Sequence, residues 1–131
     1  MDRQELVTEM RDLRVRVPGV TGALVAAFDG QLVAADLERD GAYRVDPGAL
    51  ASMAAASLGI ARQVAGLTRQ GALGQAVTRA SNGHVAVYAV GDAGLLAVLG
   101  DDGLDLEELH QKASPALDRM HAMLAQPNAR A

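Results

Sequence analysis

No cysteine occurs among the 131 residues, which removes disulfides, cysteine metal sites and thiol nucleophiles together. Tryptophan is missing too, and aromatics make up only 2% of the chain, with Phe28 the single phenylalanine. Any core must therefore come from Ala, Val, Leu and Met, although half of all residues are hydrophobic. Positive charge is scarce: the formal net charge is −4, and no basic cluster with interleaved aromatics offsets it, which argues against nucleic acid. Long hydrophobic runs are absent. The longest, Ala23 to Phe28, falls far short of a bilayer span, so no membrane insertion is expected. The opening segment MDRQELVTEMRDLR is charged and lacks the apolar centre of a signal peptide, which points to a cytoplasmic protein. Every basic residue except Lys112 is an arginine; with heavy alanine use, this suggests a GC-rich bacterial genome.

What remains is enough for one domain with a sizeable core. Leu6, Met10, Leu13 and Val17 follow helical spacing, Asp2 can cap the start and Pro18-Gly19 ends the segment, which predicts a helix over 3–16. Residues 20–29 are apolar at successive positions, the mark of a strand covered on both faces. Asp29-Gly30 predicts a type I′ hairpin turn into a return strand over 31–37. Residues 38–46 read as a polar loop ending in Asp46, a cap for a helix that begins with Pro47. A more polar strand follows over 74–81, alternating Gln75, Val77 and Arg79 with Ala76, Thr78 and Ala80, and reads as a sheet edge. Asn82-Gly83 predicts a second I′ turn, into a buried strand over 84–90 and, after Gly91-Asp92-Ala93-Gly94, a strand over 95–100. A last helix covers 105–124, with Pro115 expected to kink or restart it at Ser114. The order is α-β-β-α-β-β-β-α. This is an α+β domain over 1–125, one five-stranded sheet with helices on both faces, followed by a disordered tail over 126–131.

The middle helix, Pro47 to Gln70, carries two apolar stripes. Leu50, Met53, Ile60, Val64 and Leu67 form a bulky one, with Ser57 in the gap. Ala51, Ala54, Leu58, Ala61 and Ala65 form a second, mostly of methyl groups. We expect the bulky stripe to cover the protein's own sheet. The small stripe then becomes a partner surface, because small side chains let another helix approach closely.

Catalytic patterns are scarce. No G-x-x-x-x-G-K-[ST] loop is present, and Gly71-Ala72-Leu73-Gly74 follows a helix rather than opening one, so it reads as a turn. His110 and His121 lie about 16 Å apart along the last helix, too far for one metal, and read as solvated; His84 has no carboxylate neighbour in sequence. Asp101, Asp102, Asp105, Glu107 and Glu108 lack calcium-loop spacing and suit a helix N-terminus. Ser52, Ser57 and Ser81 lack a nucleophile-elbow context. Arg62 and Arg69 read as one solvated flank of the middle helix, with a partner contact as the rarer alternative. No catalytic residue, cofactor or metal is expected.

The segments VPGVTGALVAAFDGQLVA (17–34), the Ala-rich helix after Asp46-Pro47, and GHVAVYAVGDAGLLAVLG (83–100) together resemble the bacterial form of the Roadblock family of dynein-light-chain-like proteins. The resemblance spans nearly the whole chain; Pro115 departs from the family's unbroken last helix. It implies an antiparallel sheet in the order 2-1-5-4-3, with the middle helix on one face and the other two helices on the other. It implies a homodimer through the third strand (Gln75, Ala76, Val77, Thr78, Arg79) and the middle helix, which the reading above assigns to Ala51, Ala54, Leu58, Ala61 and Ala65. It further implies a non-enzymatic regulator of a small Ras-like bacterial GTPase, with a sensor-kinase-like protein as a further partner. The rival readings are a scaffold joining these two without altering hydrolysis and, less in keeping with so few aromatics, a small-ligand sensor. Ser52, Arg62 and Arg69 are the candidate GTPase contacts.

Overall fold

Local signals set the ends of the helices. In the computed structural model, which describes residues 2–37 and 45–126, α1 (Arg3–Arg16) starts where the Asp2 carboxylate accepts the Gln4 N–H. The middle helix α2 (Pro47–Leu67) starts where Asp46 accepts the N–H groups of Gly48 and Ala49. The last helix α3 (Leu106–Ala125) starts where Asp105 accepts those of Glu107 and Glu108. Each cap satisfies donors that the first turn leaves unpaired. The strands are β1 (Val20–Ala26), β2 (Leu32–Leu37), β3 (Gln75–Ala80), β4 (Gly83–Val90) and β5 (Gly94–Asp101). They form one antiparallel sheet in the order β2-β1-β5-β4-β3, as the resemblance implies. Residues 38–44 of the expected loop and 127–131 of the expected tail lie outside the described residues.

The sheet separates two cores. On one face α1 and α3 bury Leu6, Met10, Leu13, Leu109, Ala113 and Met120 against Val25, Ala86, Tyr88, Leu96 and Val98. On the other, α2 packs Ala51, Ala54 and Leu58 onto Leu24, Ala26, Val87, Leu95 and Ala97. The central strands β1 and β5 feed both cores, the source of their apolar runs.

Three local expectations fail, each for a definite reason. The β1–β2 hairpin is a three-residue loop, not an I′ turn. The Gly30 N–H bonds the Ala27 carbonyl at 2.9 Å and Gly30 alone is left-handed, with φ +91°, while the Asp29 carboxylate accepts the Gln31 N–H. This is the turn-plus-bulge solution to the same hairpin. In the β3–β4 hairpin Ala80 pairs with Gly83, so the two-residue loop is Ser81–Asn82, and neither residue has positive φ. Gly83 is required for a different reason: a Cβ there would collide with the Gly100 carbonyl oxygen of β5. Finally, α3 runs unbroken through Pro115. Pro115 and Gln111, whose carbonyl loses its intrahelical partner, are both exposed, so water can take that carbonyl.

Candidate interaction surface on α2 and β3

The assignment of the two stripes of α2 is reversed. Ala51, Ala54 and Leu58 are buried against the protein's own sheet, so they do not form an outward surface. Ala61 and Ala65 are half-buried at the margin of that contact. Of the bulky stripe only Leu50 packs, half-buried, against that core; the rest faces outward, with Met53 73% exposed, Ile60 63%, Val64 53% and Leu67 84%. The cause lies in the sheet. Leu24, Val87 and Leu95 already supply volume beneath α2, so alanines are what allow the helix axis to come close. Each bulky side chain left in water forgoes about 1.5–3 kcal/mol that burial would contribute. By length and mean hydropathy (1.2 over its best window) α2 is apolar enough to cross a membrane, yet its small stripe commits one face to the sheet.

Beside this face lies the open edge of β3. Its inner neighbour is β4, and among the described residues no strand follows β3 in the sheet order. Gln75 and Ala76 are half-buried, whereas Val77, Thr78 and Arg79 are exposed. Met53, Ala56, Ser57, Ile60 and Ala61 of α2 and Ala76 and Val77 of β3 line a shallow apolar groove of about 530 Å³ between the two elements. Exposed apolar helix and unpaired strand edge thus form one continuous surface. Both parts of such a surface favour association.

The opposite flank of α2 carries different chemistry. The Arg62 guanidinium sits 4.6 Å from the centroid of the Phe28 ring in the β1–β2 turn, a cation–π contact. Ser52 lies against Gly30 of the same turn, where a Cβ on Gly30 would come within 3.0 Å of the Ser52 Cα. Arg69 does not join them. The helix ends at Leu67, the Thr68 hydroxyl bonds back to the Val64 carbonyl at 2.7 Å, and Arg69 is in the left-handed region at φ 55°. The expected common flank of Arg62 and Arg69 is therefore split, with Ser52 and Arg62 on one surface and Arg69 beyond the helix.

The histidines are more engaged than their sequence context suggests. His110, half-buried, bonds the Tyr88 hydroxyl through Nδ1 and approaches the Gln75 amide nitrogen at 3.1 Å through Nε2. The chain Tyr88–His110–Gln75 thus ties β4 and α3 to the β3 edge. Burial holds the Tyr88 phenol well above its ordinary value, so it stays protonated. His121 pairs with Asp92 at 2.9 Å, and a side-chain hydrogen bond from that histidine holds the Asp92 carboxyl below its ordinary value. His84 Nδ1 lies 3.1 Å from the Asp101 carbonyl. In the acidic cluster Asp105 caps α3, and the Asp101 carboxylate accepts the Gly103 N–H at 2.9 Å. These acids are occupied with backbone. Among the described residues no three His, Asp or Glu side chains converge as metal ligands. On the α1–α3 side a polar cleft of about 270 Å³ is bordered by the Glu9–Arg119 ion pair.

Comparisons with known proteins agree with this architecture. Residues 6–100 match the model of the Roadblock/LC7 domain. Among solved structures, a Roadblock/LC7 domain from Streptomyces avermitilis superposes with a TM-score of 0.79 at 23% identity, covering 91% of this chain and 97% of that one. MglB from Myxococcus xanthus gives 0.81 at 15% identity, with 94% and 97% covered. A structure described as MglB with tetrameric arrangement gives 0.82 at 15% identity, with 93% and 89% covered. At these identities the structures speak for the fold alone. No curated protein matches in sequence.

Proposed function

The chain belongs to the Roadblock/LC7 domain family, and we propose that it is a non-enzymatic, cytoplasmic homodimer that regulates a small Ras-like GTPase. The observation that carries this reading is the continuous surface of exposed Met53, Ile60, Val64 and Leu67 beside the unpaired β3 edge. A second copy would cover both parts at once: strand pairs with strand and helix lies beside helix. Isologous pairing of this kind closes on itself and removes the β3 edge as a site of aggregation. In this reading the seam consists of the outward face of α2, with Ala61 and Ala65 at its margin, and Gln75, Ala76, Val77, Thr78 and Arg79.

The GTPase is then met elsewhere. Ser52 and Arg62, with Phe28 and the β1–β2 turn, lie on the flank of α2 away from β3 and stay available in a dimer. A regulator of this type acts by binding the switch segments of the GTPase in one arrangement, a contribution of position and charge that needs no nucleophile or metal of its own. Arg69 is a separate candidate contact.

The test is GTP turnover by the GTPase encoded nearest in the genome, measured with and without this protein, alongside a binding assay in both nucleotide states. Altered turnover with binding supports regulation. Binding with unchanged turnover supports the scaffold reading, in which the dimer joins the GTPase to a sensor-kinase-like protein. Absence of binding in both states overturns the GTPase assignment.

A further inference from the structure

The sheet has a second open edge, on the side away from β3. Among the described residues no strand lies beyond β2. We infer that this edge takes up an extended, acidic segment of another protein as a sixth strand. Recognition of that kind draws affinity from main-chain hydrogen bonds and specificity from alternate side chains. It is separate from the proposed seam: a dimer joined through β3 would keep one β2 edge at each end.

The backbone is directed for such pairing. The Ala27 N–H bonds the Gln31 carbonyl at 2.9 Å, so Ala27 turns toward β2. Ala26 turns the other way, with its carbonyl oxygen against Gly94 of β5. Alternation along β1 then sends Val25 and Ala23 toward β2. Their partners there are Ala34 and Asp36, with Val33 the extra residue of a bulge. Ala34 and Asp36 thus spend their N–H and C=O groups on β1. Those of Ala35 and Leu37 point to the open side, and the bulge confines regular pairing to this part of the strand.

The side chains of β2 guard the edge weakly. Sheet edges are usually protected by exposed charges or proline. Here Leu32, Val33, Ala35 and Leu37 are half-buried and apolar. The one charge, Asp36, is tied to Arg14 of α1 at 3.0 Å. By contrast, β3 shows Thr78 and Arg79 to solvent.

Charge selects the occupant. Arg3, Val7, Arg11 and Arg14 recur at steps of three and four residues, so they share the flank of α1 that reaches β2 through Arg14. Glu5, Glu9 and Asp12 follow the other flank, where Glu9 meets Arg119 of α3. Arg3 and Arg11 are exposed and make no ion pair among the described residues. A strand added to β2 sets alternate side chains beside this arginine flank. The others fall on the α2 face, beside Leu32 and Ala35. Carboxylates suit the first set and apolar groups the second. A second copy of β2 suits the site poorly, because antiparallel self-pairing brings two arginine flanks together on one face of the sheet.

The probe is a short synthetic peptide alternating valine with glutamate, set against its valine–lysine counterpart. Each is titrated into isotope-labelled, full-length protein, with amide exchange read by NMR. In the free protein the Ala35 and Leu37 amides should exchange fast, and those of Ala34 and Asp36 slowly. The glutamate peptide should slow Ala35 and Leu37 by about tenfold or more, and the lysine peptide should leave them unchanged. Ala35→Pro deletes an outward donor and spares the β1–β2 ladder, so the variant should keep its melting temperature and lose the peptide. Arg3→Glu combined with Arg11→Glu leaves the backbone untouched and should switch the preference to the lysine peptide. Protection of Ala35 and Leu37 in the free protein would mean that the edge is already filled, by this chain or by a second copy, and overturns the inference. Equal binding of both peptides overturns it, as does peptide-induced protection confined to β3. Unfolding of Ala35→Pro would place that N–H in the ladder and overturn it as well.

Discussion

Leu58 and Ile60 stand two residues apart on α2, yet one is sealed against the sheet and the other is 63% exposed. That contrast turns the orientation of the helix into a measurable difference. Leu58→Ala should lower stability by about 2–5 kcal/mol, the cost of deleting a buried leucine and leaving a cavity. Ile60→Ala, compared at protein concentrations low enough to populate the monomer, should change it by no more than about 0.5 kcal/mol. Denaturant titration checks both; a large loss from Ile60→Ala in the monomer would mean that the bulky stripe packs inward. A second residue-scale expectation concerns Asp92. Its carboxyl is held low chiefly by the hydrogen bond to His121. The stabilisation belongs to pH values above the ordinary carboxylate pKa and fades as pH falls through the depressed folded value. The pair is exposed, so the effect on folding is small and salt-sensitive. NMR titration should find Asp92 below a normal aspartate, and His121→Ala should raise it most of the way toward normal, the remainder being held by a backbone hydrogen bond.

Among the elements, α3 carries the clearest local conflict, a proline inside an unbroken helix. Pro115→Ala restores an N–H to the Gln111 carbonyl and should raise stability, by up to about 3 kcal/mol; an unchanged denaturation midpoint would mean that the lost hydrogen bond costs the helix nothing. The starts of all three helices were legible in the sequence because Asp2, Asp46 and Asp105 act locally, within a turn of their own chain; the end of α2 was not, falling at Leu67 rather than Gln70. The edge character of β3 was legible from its polar alternation. The orientation of α2 was not. Both of its stripes satisfy the helical period, and the choice between them depends on Leu24, Val87 and Leu95, which reach the helix only through the fold. The turn types failed for a related reason. Asp-Gly and Asn-Gly mark where hairpins reverse, but the β1–β2 loop length and the packing of Gly83 on Gly100 decide the conformation. His110 read as solvated because Tyr88 and Gln75, its partners, are distant in sequence.

At the scale of the molecule, the two faces of the sheet divide the work. The α1–α3 face is closed by the larger core. The α2 face is covered by a helix that leaves its bulkiest side chains in water, beside a strand edge with unspent hydrogen bonds. A monomer gains nothing from that arrangement, and the proposed second copy of the chain would relieve both features together. The GTPase assignment depends on a different surface, around Ser52, Arg62 and Phe28. Arg62→Ala should therefore weaken GTPase binding or its effect on turnover while leaving the oligomeric state unchanged; an equal loss of both would place Arg62 in the seam.

The central claim is that the outward face of α2 and the β3 edge form a seam with a second copy. Sedimentation equilibrium of the wild type and of Ile60→Asp across a concentration series tests it most directly. The account predicts a wild-type mass of twice the 13.6 kDa chain at tens of micromolar. It predicts a folded monomer for Ile60→Asp, because a charge placed in a desolvated seam is left unpaired. A monomeric wild type at that concentration, or a variant that remains fully dimeric, would contradict it.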